Sequence, residues 1–411
     1  MKKLFSIMLM ALAVFMLTAC DDGSGAPQGI SPGTGTPEAR DIIPGLQAAA
    51  VGFETALFYA MPTDQNYMVS PFSLRMALAM AANGAGGTTQ AEILAALDID
   101  CLDAFNRAAA EFIARSNANE LVEFNIANSI WLNEDLFCDV DFTDNFKRII
   151  AEYFAGVAER VGEKDGADIV NAWISEQTNN RINDVVDEDV FCPDNLVLAL
   201  LVNAIYFNGN WAIPFDPELT MDDIFTDRNG NRATLPFMTQ TGRFSYFENE
   251  YFQMMAKPYM DGNIRMYLVL PRGNERLPFS MFEDAISSMR VRDVSLRLPR
   301  FTTESLHDNL VEIMQGMGII DAFEWQSADF LEMFTPLPGG LRAYIGNILQ
   351  KTFIEVDEEG TEAAAVTVIE MRVESIPPPP IPFYCDVPFI YFIRNDATGE
   401  ILFIGEFAFA E

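Results

Sequence analysis

Histidine is almost absent from the sequence, and lysine and arginine are scarce. The 411 residues include one His, 26 Lys plus Arg and 60 Asp plus Glu, which gives a formal net charge of −34. Affinity for phosphate backbones comes mainly from Lys and Arg that displace counterions, so this balance argues against nucleic acid as a partner. Half of the residues are apolar and 12% are aromatic, which favours a large folded core over disorder.

The lack of histidine also limits the possible catalytic chemistry. A Ser-His-Asp or Cys-His arrangement would have to use His307, because the chain has no other imidazole. The sequence after Glu304 carries apolar residues at helical spacing, which predicts His307 in the first turn of a helix with a structural or surface role. HExxH, P-loop and GxGxxG motifs are missing. We therefore expect neither an enzyme nor a site for a cofactor or a metal.

Cysteine is also rare, with five in the chain. The four that follow Cys20 are Cys101, Cys138, Cys192 and Cys385, and no two of them have CxxC spacing. They allow three pairings, and a disulfide and free buried thiols remain open alternatives.

The longest hydrophobic run lies at the N-terminus. Lys2 and Lys3 precede an apolar stretch, 4–17, that is shorter than the roughly 20 residues of a membrane helix but suits a signal peptide. The ending Leu-Thr-Ala-Cys20 resembles a bacterial lipobox, although Cys20 could also follow an ordinary cleavage site. The resemblance implies a lipoprotein signal peptide over 1–19, an acylated Cys20 and a Gly/Pro/Ser/Thr-rich tether over 20–44. The protein would then be exported and lipid-anchored to the bacterial cell envelope, facing the periplasm or the cell exterior.

From about residue 45 to 411 there is no second linker and no internal repeat, so we predict a single domain. Ser70-Pro71 predicts the start of a helix over 72–82, and Thr89 with Glu92 predicts a capping box for the next helix. The later sequence instead contains short runs rich in β-branched and aromatic residues. Helices followed by strands indicate an α+β fold.

One segment is unusual by local rules. Residues 358–380 begin polar, continue through alanines, become β-branched and end in four prolines. A plain strand, or a helix that begins at Thr361, followed by a polyproline spacer would fit this pattern. The alternate residues from Thr361 to Met371 are small or apolar, however, so this segment could also enter an existing sheet as a strand.

Six stretches of the chain resemble the serpin family, over about residues 45 to 411. EVDEEGTEAAAVTV is similar to the hinge of an inhibitory serpin, and PFIYFIRNDATGEILFIGEF to the C-terminal signature of the family. The other four, in sequence order, are NYMVSPFSLRMALAMAANGA, LVNAIYFNGNW, LPRF and MGIIDAF. The resemblance implies three β-sheets, about nine helices and an exposed reactive-centre loop at about 358–382.

The resemblance also implies a suicide-type inhibitor of endopeptidases, serine and also cysteine proteases. A target protease forms a covalent acyl complex with the loop, and the cleaved loop then inserts into the main sheet. The hinge residues implied are Glu358, Gly360, Thr361, Glu362, Ala363, Ala364 and Ala365. No proline interrupts 360–374, which favours insertion. The alternative is a non-inhibitory serpin that acts as a surface binding lipoprotein.

The spacing from Gly360 that is usual in the family implies that the scissile bond joins Glu374 (P1) to Ser375. Arg372 is the alternative P1 residue, for a trypsin-like protease. Cleavage there would shorten the inserting strand by two residues, or roughly 7 Å. Glu374 is therefore preferred.

Further positions follow from the resemblance. The shutter beneath the opening point of the sheet would contain Ser70, Ser73, Asn203 and Gln350, and Trp211 would lie at the breach, where insertion begins. Gln350 replaces a histidine found in many serpins, which predicts sheet opening without a histidine-linked pH response. A Cys138–Cys192 pair is the disulfide we would choose, and we expect a monomer. Because 101–120 has only Arg107 and Arg115 as basic residues, no heparin-like activator is expected.

Overall fold

The computed structural model describes residues 52–119, 121–136, 139–192, 199–273, 275–308, 310–335, 342–360 and 379–410. All of them belong to one compact unit that begins at Asp41. Several predicted features lie outside the described residues. They are the signal peptide, Cys20 and the tether, Cys138 of the suggested disulfide, the hinge residues Thr361 to Ala365, and Arg372, Glu374 and Ser375.

Eight α-helices occur among the described residues. They are α1 (Phe53–Ala60), α2 (Pro71–Ala82), α3 (Gly87–Ala96), α4 (Leu102–Asn117), α5 (Asp144–Phe154), α6 (Gly166–Gln177), α7 (Phe279–Ser288) and α8 (Leu310–Gly316). The predicted start of α2 is confirmed, since Pro71 is its first residue and Ser70 Oγ accepts a hydrogen bond from Ser73 N.

The capping box predicted for Thr89 and Glu92 is wrong. Helix α3 begins two residues before Thr89, and its N-cap, Gly86, makes no side-chain cap hydrogen bond. Thr89 Oγ1 instead accepts from Asp329 N, and Glu92 Oε2 accepts from the backbone N–H groups of Ile320 and Asp321. Tertiary partners, which local spacing cannot reveal, have taken both side chains.

A five-stranded sheet has the order β10-β11-β4-β2-β3. Its strands are β2 (Val122–Asn133), β3 (Val157–Val161), β4 (Ala199–Gly209), β10 (Phe301–His307) and β11 (Asn347–Val356). The central strands β4 and β11 run parallel, whereas β10 and β2 are antiparallel to their neighbours β11 and β4. Because β4 and β11 are parallel to each other, a strand placed between them could be antiparallel to both and pair with each.

The other nine strands form a second assembly, in the order β1-β14-β13-β8-β7-β6-β9-β12, with β5 paired to β6. They are β1 (Tyr67–Val69), β5 (Met221–Thr226), β6 (Arg232–Glu248), β7 (Phe252–Pro258), β8 (Ile264–Pro271), β9 (Arg290–Pro299), β12 (Ile381–Tyr384), β13 (Phe389–Asn395) and β14 (Ile401–Phe407). The 17-residue strand β6 is shared: its first part pairs with β5 and β9, and its last four residues pair with β7. The three predicted sheets are therefore present, with two of them joined through β6.

Side chains of β4 alternate between two hydrophobic clusters. Leu201, Ile205 and Phe207 belong to the large core, which also receives α2. Leu200 and Val202 belong to a smaller cluster, which also contains Val170 and Ile174 of α6. Since side chains of a strand alternate between faces, Asn203 lies on the same face as Leu201 and points toward α2.

No helix among the described residues combines the length and the apolar character needed to cross a bilayer. In the same part of the chain, no group of three or more His, Cys, Asp or Glu side chains is arranged to hold a metal ion.

Candidate functional site

The hinge begins in a tight turn at the end of β11. Asp357 Oδ1 accepts hydrogen bonds from Glu359 N at 2.9 Å and Gly360 N at 3.1 Å, and Asp357 N donates to Gly360 O at 3.1 Å. Gly360 has φ +148°, and a Cβ there would overlap the carbonyl oxygen of Gly209. Only glycine fits this turn, because both its backbone angle and its closeness to β4 exclude a side chain.

Trp211 fixes this turn to the end of β4. Its backbone N–H donates to Glu359 O at 2.9 Å, and its indole Nε1 donates to Asp357 O at 3.0 Å. The indole is fully buried and stacks on Tyr259 with 4.5 Å between ring centroids. Trp211 thus joins the end of β4 to the turn that follows β11.

A buried lysine lies beside Trp211. Lys257 Nζ is 5.0 Å from the centroid of the Trp211 ring and 4.0 Å from that of Phe215. It donates to Ile213 O at 2.9 Å and to Gln240 Oε1 at 2.7 Å. Burial holds the pKa of Lys257 well below its ordinary value. Lys257 therefore packs against the Trp211 and Phe215 rings and is held there by two neutral acceptors.

Glu358 adds an ion pair to the same region. Its carboxylate is buried and accepts hydrogen bonds from Arg300 Nε and Nη2 at 2.7–2.9 Å and one from Thr220 Oγ1. Burial acts to raise the pKa of Glu358, but the hydrogen bonds from Arg300 and Thr220 outweigh it and the pKa lies below its ordinary value. The carboxylate therefore stays charged and holds the hinge near β10.

Strands β4 and β11 do not pair along their full length. Their parallel register runs from Leu200↔Asn347 to Tyr206↔Phe353, although β4 continues to Gly209 and β11 to Val356. Beyond the last pair, the next described link is an isolated bridge between Asn210 and Gly360. At this end of the seam between β4 and β11, residues 207–209 and 354–356 are therefore not paired with each other in the described part of the chain.

A row of four buried polar side chains crosses this seam. Register pairs align His307 with Gln350, Gln350 with Asn203, and Asn203 with Asn128. Gln350 Nε2 donates to Asn203 Oδ1 across the seam, and Asn203 Nδ2 donates to Asn128 Oδ1 at 2.6 Å. The Gln350–Asn203 bond therefore joins β11 to β4 across the seam.

The N-terminus of α2 supports the row from below. Ser70 N donates to Gln350 Oε1 at 2.8 Å, and Gln350 Nε2 donates to Ser70 O at 3.0 Å. Ser70 Oγ donates to Leu402 O at 2.6 Å, and Asn203 Nδ2 donates to both the carbonyl and the hydroxyl oxygen of Ser73. The structure therefore joins Ser70, Ser73, Asn203 and Gln350, the four residues implied for the shutter, in one buried network.

The predicted position of His307 in the first turn of a helix is wrong. It is the last residue of β10 rather than part of a helix, and its Nε2 is 2.8 Å from Met68 O. The helix that produced the apolar pattern begins only at Leu310 among the described residues. Although Gln350 does not titrate, the one imidazole of the chain lies next to it in the sheet. Sheet opening without a histidine-linked pH response was expected because Gln350 replaces a histidine. With His307 beside Gln350, that reason no longer holds.

We expect His307 to make folded stability fall in mild acid. Burial lowers the pKa of His307, although its hydrogen bond to Met68 O and the charge of Asp308 oppose this. Below about pH 6.5 the unfolded chain binds a proton that the folded protein resists, so stability decreases as the pH falls through that value. Between pH 7.5 and 5.5 the wild type should lose about 1 kcal/mol more unfolding free energy than His307→Gln. Denaturant unfolding at each pH measures this.

The exposed Glu312→Gln on α8 is the control for that measurement, and it should follow the wild type. Identical profiles for the wild type and His307→Gln would show that protonation of His307 does not affect folding.

Sequence reasoning missed several members of the site. They are Asn128, Thr220, Lys257, Tyr259, Arg300 and His307. They come from separate strands and loops, and no local motif connects them. The only signal was that a buried carboxylate such as Glu358 requires a cationic partner.

Comparison with known proteins agrees with this geometry. The model of the serpin (serine protease inhibitor) family matches residues 48–409. Neuroserpin of Gallus gallus is 31% identical, with 83% of this chain and 85% of that protein covered. A serine protease inhibitor of Cyanea capillata is 30% identical, with 88% and 98% covered. The crystal structure of the native thermophilic serpin tengpin has a TM-score of 0.78 at 28% identity and covers 89% of this chain and 94% of its own.

These matches place the chain in a class of protease inhibitors and not of enzymes. The chain belongs to the serpin family.

Proposed function

We propose that the chain is a suicide-type inhibitor of endopeptidases, chiefly serine proteases and also cysteine proteases. The observation that carries the proposal is the turn at 357–360. It is bonded to Trp211 at the end of β4, directly above the seam between β4 and β11. A loop released by cleavage has its attached end already at the entrance of the sheet.

Attack by the protease at Glu374 cuts the reactive loop and so releases it. The protease serine Oγ attacks the carbonyl carbon of Glu374 and forms a tetrahedral intermediate. The bond from that carbon to the nitrogen of Ser375 breaks, the leaving amine takes a proton, and Glu374 remains as an ester on the protease. Insertion of the freed strand before water reaches this ester traps the acyl-enzyme, and slower insertion lets the protease escape.

Incubation with a glutamyl-specific serine protease should give an SDS-stable complex and a free C-terminal peptide. Mass spectrometry of the peptide identifies the bond, because cleavage after Glu374 leaves Ser375 as its first residue and cleavage after Arg372 leaves Val373. With trypsin we expect cleavage after Arg372 and mostly substrate behaviour, since the inserted strand is about 7 Å shorter.

The variant Glu374→Ala with Arg372 retained is the control, and it should lose the complex with the glutamyl-specific enzyme alone. Cleavage by every protease tested, without any complex, would contradict inhibition and indicate a non-inhibitory serpin that binds at the surface.

We also propose that the inhibitor works as a monomer at the bacterial cell envelope, held by a lipid on Cys20 and separated from it by the tether over 20–44. The proposal is supported by the apolar run 4–17 and the Leu-Thr-Ala-Cys20 sequence. A Gly/Pro/Ser/Thr-rich tether over 20–44 would leave the reactive loop accessible to proteases in the surrounding medium.

A further inference from the structure

Lys257 of β7 is buried beside Trp211 without a carboxylate partner. The residue is 1% exposed, and within the described part of the chain it forms no ion pair. Its amine is held by two neutral oxygens and lies 4.0–5.9 Å from the centroids of three aromatic rings. Buried charges in proteins are ordinarily paired, so a lysine in these surroundings calls for a functional explanation.

Nothing that faces the amine compensates for its burial. The side chains that face it from β6, β8 and residues 211–216 do not titrate, and they are Gln240, Phe244, Met266, Trp211 and Phe215. Glu358 of the nearby turn is paired with Arg300. Burial is the only cause that lowers the pKa of Lys257. At neutral pH this lysine therefore costs folding free energy, whether its amine is neutral or charged.

Residues 211–216 cover the amine. The rings of Trp211 and Phe215 lie against it, and Ile213 O accepts its hydrogen bond at 2.9 Å. The side chain of Ile213 is 57% exposed, so a single layer of backbone separates Lys257 from solvent at this point. A displacement of 211–216 would therefore give water access to the amine.

The same residues are attached to the turn at 357–360. Trp211 N donates to Glu359 O at 2.9 Å, and Phe215 N donates to Glu358 O at 2.8 Å. A cleaved loop that enters the sheet from Gly360 would pull this turn out of its present shape and break both bonds. The cover over Lys257 would then lose its attachment and open.

We propose that Lys257 is a positioning residue for loop insertion: hydration of its amine, when the turn at 357–360 releases 211–216, offsets part of the cost of opening this end of the sheet. This inference rests on the proposed inhibitory function. Lys257 makes the closed arrangement less stable without touching the protease. It therefore acts on the rate of insertion, and so on the number of inhibitor molecules consumed, and does not affect which bond is cut.

The first test is the pH dependence of stability in Lys257→Met, which keeps an unbranched side chain and removes the amine. Below about pH 10.4 the unfolded chain binds a proton that the folded protein resists, so the cost of the lysine grows as the pH falls from that value toward the folded pKa. The variant should be more stable than the wild type. The ratio of their unfolding equilibrium constants should be larger at pH 7 than at pH 9.5, by up to about tenfold for each pH unit. Denaturant unfolding at both pH values measures this.

The second test is the rate of insertion. A synthetic peptide with the sequence of residues 361–374 is mixed with the intact protein, and its uptake is followed on a native gel. Uptake should be about tenfold slower in Lys257→Met than in the wild type. Each protease molecule should also consume more inhibitor molecules. Lys257→Gln, which keeps a neutral donor, should lose the same pH dependence, and this guards against an effect of methionine packing.

The matched control is Lys147→Met, which removes the amine of a partly exposed lysine on α5 that is paired with Asp141 at 3.0 Å. It should take up the peptide at the wild-type rate. Uptake at that rate by Lys257→Met, or a stability difference that is equal at pH 7 and pH 9.5, would overturn the inference. If every protease cleaves the wild type without forming a complex, the proposed function itself fails, and this outcome is seen before any variant is made.

Discussion

Replacing Thr361 with arginine should convert the inhibitor into a substrate. Thr361 follows Gly360 directly, so it is the first residue that would enter the seam between β4 and β11. By alternation from this position, Thr361, Ala363 and Ala365 would face the interior of the sheet, where a charged side chain without a partner is costly to bury. Each 1.4 kcal/mol added to the barrier for insertion slows it tenfold relative to hydrolysis of the acyl-enzyme. We expect each protease molecule to consume about ten or more inhibitor molecules instead of about one.

Titration of the protease followed by SDS gel electrophoresis measures this ratio. The control is Glu362→Arg, one residue further along, whose side chain would face solvent in the inserted strand, and it should remain an inhibitor. Equal behaviour of the two variants would mean that this part of the loop does not enter the sheet.

Cleavage of the reactive loop should raise the unfolding temperature by about 15 to 30 °C. Insertion adds about ten backbone hydrogen bonds at roughly 0.5–1.5 kcal/mol each and buries several side chains at about 1.5–3 kcal/mol each. The gain is on the order of 10 to 25 kcal/mol. The intact form is then held by a kinetic barrier, to which the Gln350–Asn203 bond across the seam contributes.

Scanning calorimetry of intact and cleaved protein measures the shift. Cleaved Thr361→Arg is the matched control, and it should gain much less because its strand enters poorly. An unchanged unfolding temperature after cleavage of the wild type would mean that the intact protein stores no energy that insertion could release.

The parts of the fold that were predicted correctly have strong local signals. Ser70 followed by Pro71 predicted the start of α2, and dense β-branched and aromatic runs predicted the later strands. The two local errors share one cause, which is that contacts with distant parts of the chain decided the structure there and local spacing did not. Thr89 and Glu92 bond to a distant loop instead of their own helix, and His307 ends a strand three residues before the helix whose apolar pattern it appeared to share.

The sequence by itself determined the family and the α+β class, because these depend on residue types in a fixed order along the chain. The tertiary structure alone decided that His307, Gln350, Asn203 and Asn128 form one row and that Arg300 holds Glu358. The register between strands far apart in sequence creates these contacts. That register depends on how the whole core packs, and no single stretch of sequence contains it.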